Sequence, residues 1–379
     1  MRITIRIVTG LVLCLAAVAC AAQSVEFRGL YVDAFHPGLR NHEEVTQMVQ
    51  AAKTANFNAV LVQVRKRGDT YYNSRIEPKS KDVAADYDAL ADVIRQAHAV
   101  GIEVHAMLAV YEVAHESYDL PENHVVRKHP EWLMTMKDGS TIQSQGKILL
   151  DPCVPQVREY LVSIVEEIAR NYDVDGIHLD NMKYIRRESQ YNKISLDLYN
   201  TKSSLTGVPE YNDAQWCQWR RDQITETLRA IHAKLVEVKP NVRLSATVMT
   251  PTPESAREVS LQDCDAWLRE GLIDFAVAGF TQTSGSLVPS VGGMLKIRNG
   301  RHLYVNIQAF QLTADVARQH IEDARAAGAD GVAVFSYCYL TKTDAGADRL
   351  RLADLASGPF ARLVSVSPMP WRTDSGRAQ

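Results

Sequence analysis

Several chemistries are missing from this sequence. The six cysteines among 379 residues include no CxxC pair, which argues against a zinc cage. No glycine-rich phosphate loop follows the first apolar run, where Ala34-Phe35-His36-Pro37-Gly38 stands instead, so a nucleotide-gripping open sheet lacks its fingerprint. A net charge of -3 gives no electrostatic reason to expect nucleic acid or an acidic membrane surface as partner. No cofactor and no metal are called for by any motif.

What is present begins with a segment to set aside. Arg2 and Arg6 precede an apolar stretch from Ile7 to Ala19, followed by small residues and then Gln23 and Ser24. That is the layout of a secretory signal, residues 1–22, and it predicts a periplasmic or secreted protein. Ala17-Val18-Ala19-Cys20 also resembles a lipoprotein cleavage box, so membrane contact is expected only if Cys20 is lipidated. Cys153, Cys217, Cys264 and Cys338 then remain, and an oxidising compartment permits a disulfide among them without fixing the pair.

Eight short apolar runs alternate with helix-length amphipathic segments. The runs are Arg28–Phe35, Ala59–Arg65, Glu103–Val110, Gly176–Asp180, Arg243–Met249, Asp274–Phe280, His302–Gln308 and Gly331–Tyr337. Strands buried on both faces read this way. Strict strand-helix alternation predicts an α/β fold, a single-domain (β/α)8 TIM barrel over residues 23–360. Residues 361–379 read as a flexible tail. Two connections are long, 111–152 and 181–212, and both follow strand C-termini, the face where barrel enzymes build their sites.

Polar residues at strand ends therefore make the candidate list. Asp180 closes the run Gly-Ile-His-Leu-Asp, where a core strand would otherwise stay apolar. A glycosidase needs two carboxyls, and Glu188, in the following loop, is the candidate second acid, with Glu112 and Asp69 in reserve. Arg65, Asp69, Tyr71, Tyr111, His178, Asn181, Gln308 and Tyr337 are the candidate substrate-binding residues. Arg65 suits holding a carboxylate in its charged form, and Tyr71 suits stacking on a sugar face. Trp216 and Trp219 share one helix face and read chiefly as core.

The stretches RGLYVDAF, NFNAVLVQVRKRGDTYYNSRIEP, HPEWLMTMKDG, LLDPCVPQVREYLVSIVEEIARNYDVDGIHLDNMKY, WCQWRRDQI and DAWLREGLIDF together resemble glycosyl hydrolase-like family 10, a family of exported bacterial barrel proteins. The resemblance implies hydrolysis of glycosidic bonds in complex glycans, including peptidoglycan strands stripped of their peptides. It places the family's strand-four acid on Asp180 and a later loop acid on Glu188. Where the family commonly has Asp-Asp, this chain has Asp180-Asn181, and Ala278-Gly279 stands where Pro-Gln is common. The segment Asp175 to Met182 also resembles the fourth strand of chitinase-type barrels, with the acid position falling on Met182 and the middle Asp on His178.

The expected function is thus a glycoside hydrolase acting on β-linked N-acetylated sugars, with peptidoglycan or another polysaccharide as substrate. A glycan-binding barrel without turnover is the alternative. A metal-dependent hydrolase of the amidohydrolase type would need a His-x-His on the first strand, which Asp33-Ala34-Phe35-His36 does not supply.

Overall fold

A computed structural model describes residues 25–185, 187–188, 190–249, 252–342 and 348–372. The signal segment, Cys20 included, lies outside the described residues.

Each of the eight runs forms a strand, and the strands close. They are β1 (Phe27–Val32), β2 (Ala59–Arg65), β3 (Glu103–Ala109), β6 (Gly176–Asp180), β7 (Arg243–Met249), β8 (Phe275–Gly279), β9 (His302–Gln308) and β10 (Gly331–Phe335). Every neighbouring pair is parallel, and β10 returns to β1. The barrel is the expected α/β fold, with helices on its outside. Four strands are shorter than the sequence suggested: β3 and β8 by a residue at an end or at both, β1 and β10 by more. β1 stops at Val32, and β10 stops at Phe335 because Tyr337–Thr341 turns into a helix.

The inner face is filled in layers. At the N-terminal end Phe27 stacks on Tyr304 at 4.1 Å and meets His105 and Phe275 edge-on or tilted. Gly176 makes room for them: a β-carbon there would lie 2.1 Å from the His105 ring, so no side chain fits. The outer helices begin at side-chain caps, Asn41, Asp88, Asp213 and Thr313 among them, each accepting from a first-turn amide. Gly101, Gly271 and Gly328 end helical segments at φ values of 77°, 68° and 91°, conformations that favour glycine.

The first long connection contains a hairpin, β4 (Glu112–His115) paired antiparallel with β5 (Lys147–Leu149). The second contains a helix, Lys193–Ser203. The tail expectation is corrected for residues 361–372. Val25 bridges to Ser365, Trp371 donates to Asp274 at 2.9 Å, and Arg372 pairs with the same carboxylate at 2.5 Å. An indole and a guanidinium anchored on a buried Asp at the barrel's N-terminal end hold the segment down. Residues 373–379 lie outside the described residues. All four described cysteines are free and buried.

Candidate active site

The C-terminal ends of the strands gather the polar side chains. Asp180 ends β6 and is partly exposed to the mouth. Burial pushes its carboxyl above the ordinary range, against the hydrogen bond from Thr247, the charge of Lys183 and the Asn181 amide, while the charge of Glu112 adds to the rise. Its neighbour Asn181 takes a left-handed φ of 54° and donates from Nδ2 to Asp180 Oδ2 at 2.9 Å. The Lys183 ammonium is lowered by its own burial, with the Asp180 charge opposing.

Below Asp180 lies a buried polar layer. His178 places Nδ1 2.9 Å from Ser245 Oγ, and Nε2 2.8 Å from Thr247 Oγ1 and 3.1 Å from the Tyr31 hydroxyl. Burial drives its pKa down to about 3, so the ring is neutral at any working pH. The Tyr31 hydroxyl is raised by burial and by the Asp180 charge. This layer supports the carboxylate from beneath, and His178 itself, fully buried, does not face a sugar.

A second carboxylate comes from the hairpin. Glu112 accepts from Lys147 Nζ at 2.8 Å, and Arg67 Nε stands 3.8 Å from its other oxygen. Glu112 is thus an acid within electrostatic reach of Asp180. Glu188 is exposed on its loop, where its charge bears on Tyr191.

Three other candidates sit elsewhere than expected. Arg65 is fully buried among Leu108, Val110, Leu161 and Ile164, in the layer between barrel and helices. A bulge between Gln63 and Arg65 breaks the in-out alternation and turns the side chain outward. There it pairs with Glu77 at 2.8 Å and donates to the carbonyls of Ala109 and Val110. Tyr71 is buried, and its hydroxyl lies 2.9 Å from both Asp82 Oδ2 and the Ala34 carbonyl, one of which takes its single proton, so it offers no face to a sugar. Tyr111 is also buried, its hydroxyl in the field of Arg158, Cys153 and Asp151, away from the mouth. Asp69 accepts from the Arg67 amide at 3.1 Å and shapes the β2 loop.

Gln308 and Asn306, at the end of β9, and half-buried Tyr337, beside Gly38, remain at the rim. Trp216 and Trp219 stack at 5.1 Å in a buried cluster with Tyr199 and Cys153, which is core packing. Met182 is fully buried in the core.

Sequence reasoning missed the rim aromatics. Phe35, Tyr118 and Phe310 are exposed, and Phe310 faces Tyr339 at 5.4 Å. Phe35 and Phe310 each follow a strand end within three residues, and that position was the available signal. Asp33, His36 and Cys338 bring potential ligand atoms within 4.8 Å of one another. His36 Nδ1 and Asp33 Oδ1 are 2.6 Å apart, the spacing of a hydrogen-bonded pair. Ser336 Oγ holds the other Asp33 oxygen at 2.7 Å. This donor set suits zinc-like ions, and the pair it forms already satisfies its carboxylate.

Comparison with known proteins gives the family and the fold. The family model described as Glycosyl hydrolase-like 10 matches residues 22–287. Glycosyl hydrolase YngK of Bacillus subtilis (strain 168) is 22% identical over 371 residues, covering 87% of this chain and 69% of that protein. Glycosyl hydrolase DigH of Escherichia coli (strain K12) is 24% identical over 249 residues, covering 58% of this chain. The chain spans about half of DigH's length, 53%. Among solved structures, the PgaB (BpsB) glycoside hydrolase domain from Bordetella bronchiseptica superposes with a TM-score of 0.59 at 13% identity, covering 82% of this chain and 94% of that one. That likeness establishes the shared fold.

Proposed function

From the premise that this chain belongs to the glycosyl hydrolase-like 10 family, we propose that it hydrolyses glycosidic bonds in a complex bacterial glycan. Peptidoglycan strands with their β-linked N-acetylated sugars are the substrate we favour, met outside the cytoplasm. The observation that carries the reading is a carboxyl at the end of β6, in the barrel mouth, with a second carboxyl close enough to act on its charge. Glycoside hydrolysis needs two carboxyls in different electrostatic settings. Asp180, raised above the ordinary range by burial, suits carrying a proton to the leaving oxygen. Glu112, facing Lys147, suits the anionic partner that stabilises the oxocarbenium-like state. We assign the second role to Glu112 in preference to Glu188, because Glu188 is exposed and its charge bears on Tyr191.

The second reading, a glycan-binding barrel without turnover, draws on Asn181. An amide that donates to Asp180 stands where the family commonly supplies another acid. The deciding experiment measures soluble product released from purified peptidoglycan, with and without its stem peptides, by the wild type and by Asp180→Asn. Release by the wild type alone supports the hydrolase and places Asp180 at its centre. Binding to the glycan without release by either protein would replace it with the binding reading.

A further inference from the structure

The polar layer under Asp180 brings two hydroxyls to a single lone pair. His178 is neutral, because burial drives its pKa down to about 3, so its ring has one N–H and one accepting nitrogen. Ser245 Oγ stands 2.9 Å from Nδ1 and 3.4 Å from the Ile177 carbonyl. A carbonyl only accepts, so the Ser245 proton turns to it, and the ring proton sits on Nδ1, donated to Oγ. Nε2 is then an acceptor, facing Thr247 Oγ1 at 2.8 Å and the Tyr31 hydroxyl at 3.1 Å. One lone pair takes one proton, so only one of the two donates to it at a time. All four side chains are buried, which leaves a missing partner uncompensated by solvent.

Thr247 also hydrogen-bonds Asp180 and Tyr31, and this gives the layer two complete arrangements. With Asp180 ionised, Tyr31 donates to Nε2 and Thr247 donates to the carboxylate. With Asp180 protonated, the acid donates to Thr247 Oγ1 and Thr247 donates to Nε2. Tyr31 then turns to the second lone pair of Oγ1. Two hydroxyl rotations interconvert the arrangements, and the one proton that distinguishes them enters or leaves at Asp180. Neither arrangement strands a buried group, whereas a fixed donor would favour one ionisation state at the expense of the other. The charges that bear on Asp180 are Lys183, on the connection after β6, and Glu112, on β4. Lys147 acts beside them, on Glu112 and Lys183, and His105 acts on His178.

We propose that Tyr31 and Thr247 exchange the donor role at His178 Nε2, so that Asp180 keeps a full set of hydrogen bonds both as acid and as carboxylate. Tyr31 is then a positioning residue that acts on the reacting group only through Thr247. The inference rests on the reading of Asp180 as the carboxyl that gives up and regains a proton in each turnover, and its test requires no turnover.

The quantity to measure is the ionisation of Asp180 itself, followed across pH by carbon NMR of carboxyl-labelled aspartate and assigned by the signal lost in Asp180→Asn. Tyr31→Phe removes the hydroxyl that serves Nε2 while Thr247 serves the carboxylate. Thr247 must then turn to His178, and the Asp180 titration should move up by about half to one pH unit. Thr247→Val takes the donor from the carboxylate directly and should raise the titration as well. In the Thr247→Val background the link to Tyr31 is gone, so adding Tyr31→Phe should move the titration by no more than about 0.3 unit. A shift of equal size in both backgrounds would mean that Tyr31 acts on the carboxyl directly, and it would overturn the proposal. An unmoved titration in Tyr31→Phe with Thr247 intact would overturn it too. Nitrogen NMR of His178 in the wild type supplies a test that no folding defect can mask: a ring proton on Nδ1 at both ends of the titration is expected, and a proton on Nε2 removes the shared lone pair and refutes the exchange. Failure of the wild type to hydrolyse any glycan would sink the glycosidase reading and leave these titrations standing.

Discussion

Replacing Glu77 by Gln should destabilise the barrel severely, although the residue takes no part in the proposed chemistry. Arg65 donates to Glu77 from Nε at 2.8 and 3.1 Å and from Nη2 at 2.8 Å, with both side chains 1% exposed. Burial alone would lower the guanidinium's pKa, but Glu77 and then Tyr160 raise it above the ordinary arginine value, so Arg65 stays charged. An amide at position 77 strands that charge in the layer between barrel and helices. Breaking one side of a buried pair costs about 3–5 kcal/mol. For a folded unit of roughly 350 residues, an unfolding entropy near 2.1 cal/mol/K per residue converts this to a fall in Tm of about 4–7 °C. Differential scanning calorimetry reads the shift. The double variant Arg65→Met with Glu77→Leu should recover most of it, because removing both charges leaves no stranded ion. A Glu77→Gln protein melting within about 1 °C of wild type would refute the reasoning and return Arg65 to the candidates for substrate contact.

Three further outcomes follow from the same structure. Asp180→Asn should melt higher than wild type at pH 7, because the fold raises the Asp180 carboxyl and so disfavours its ionised form; the advantage should vanish below the ordinary carboxylate range, and a lower Tm at pH 7 would contradict it. Asp151 is fully buried, with its carboxyl pushed by burial from 3.8 to about 6, so its protonation favours the fold fully below pH 3.8, and that contribution is lost as pH rises through about 6. Urea melts at pH 5 and 7.5 should show a smaller pH dependence for Asp151→Asn than for wild type, and an unchanged dependence would contradict the assignment. Glu112→Gln should lower kcat on peptidoglycan glycan by about 10²- to 10⁴-fold with the melting temperature little changed, and near-wild-type turnover would remove Glu112 from the chemistry.

The barrel was legible because strands buried on both faces leave unbroken apolar runs, and all eight were visible as such. Asp180 was legible for the complementary reason: a carboxylate ending such a run has few purposes in a core. Arg65 misled because a residue's direction on a strand follows alternation, and the bulge after Gln63 is a backbone event that no residue type announces. Tyr71 and Tyr111 misled because a tyrosine beside a strand end is equally suited to a sugar and to a buried hydrogen bond, and only burial decides. Glu112 could be placed in reserve but not paired, since Lys147, which engages it, lies 35 residues away across a hairpin. The tail was misread because Pro368, Pro370 and small polar residues say nothing of the Asp274 carboxylate that catches Trp371 and Arg372.

The bridge between Val25 and Ser365 also fixes how the molecule can be held. Both ends of the described chain leave the barrel on the face where the strands begin, while Asp180 and the aromatic rim occupy the opposite face. A group attached at Val25 or Arg372 therefore starts from behind the barrel. A protein held by either end would present its open mouth outward.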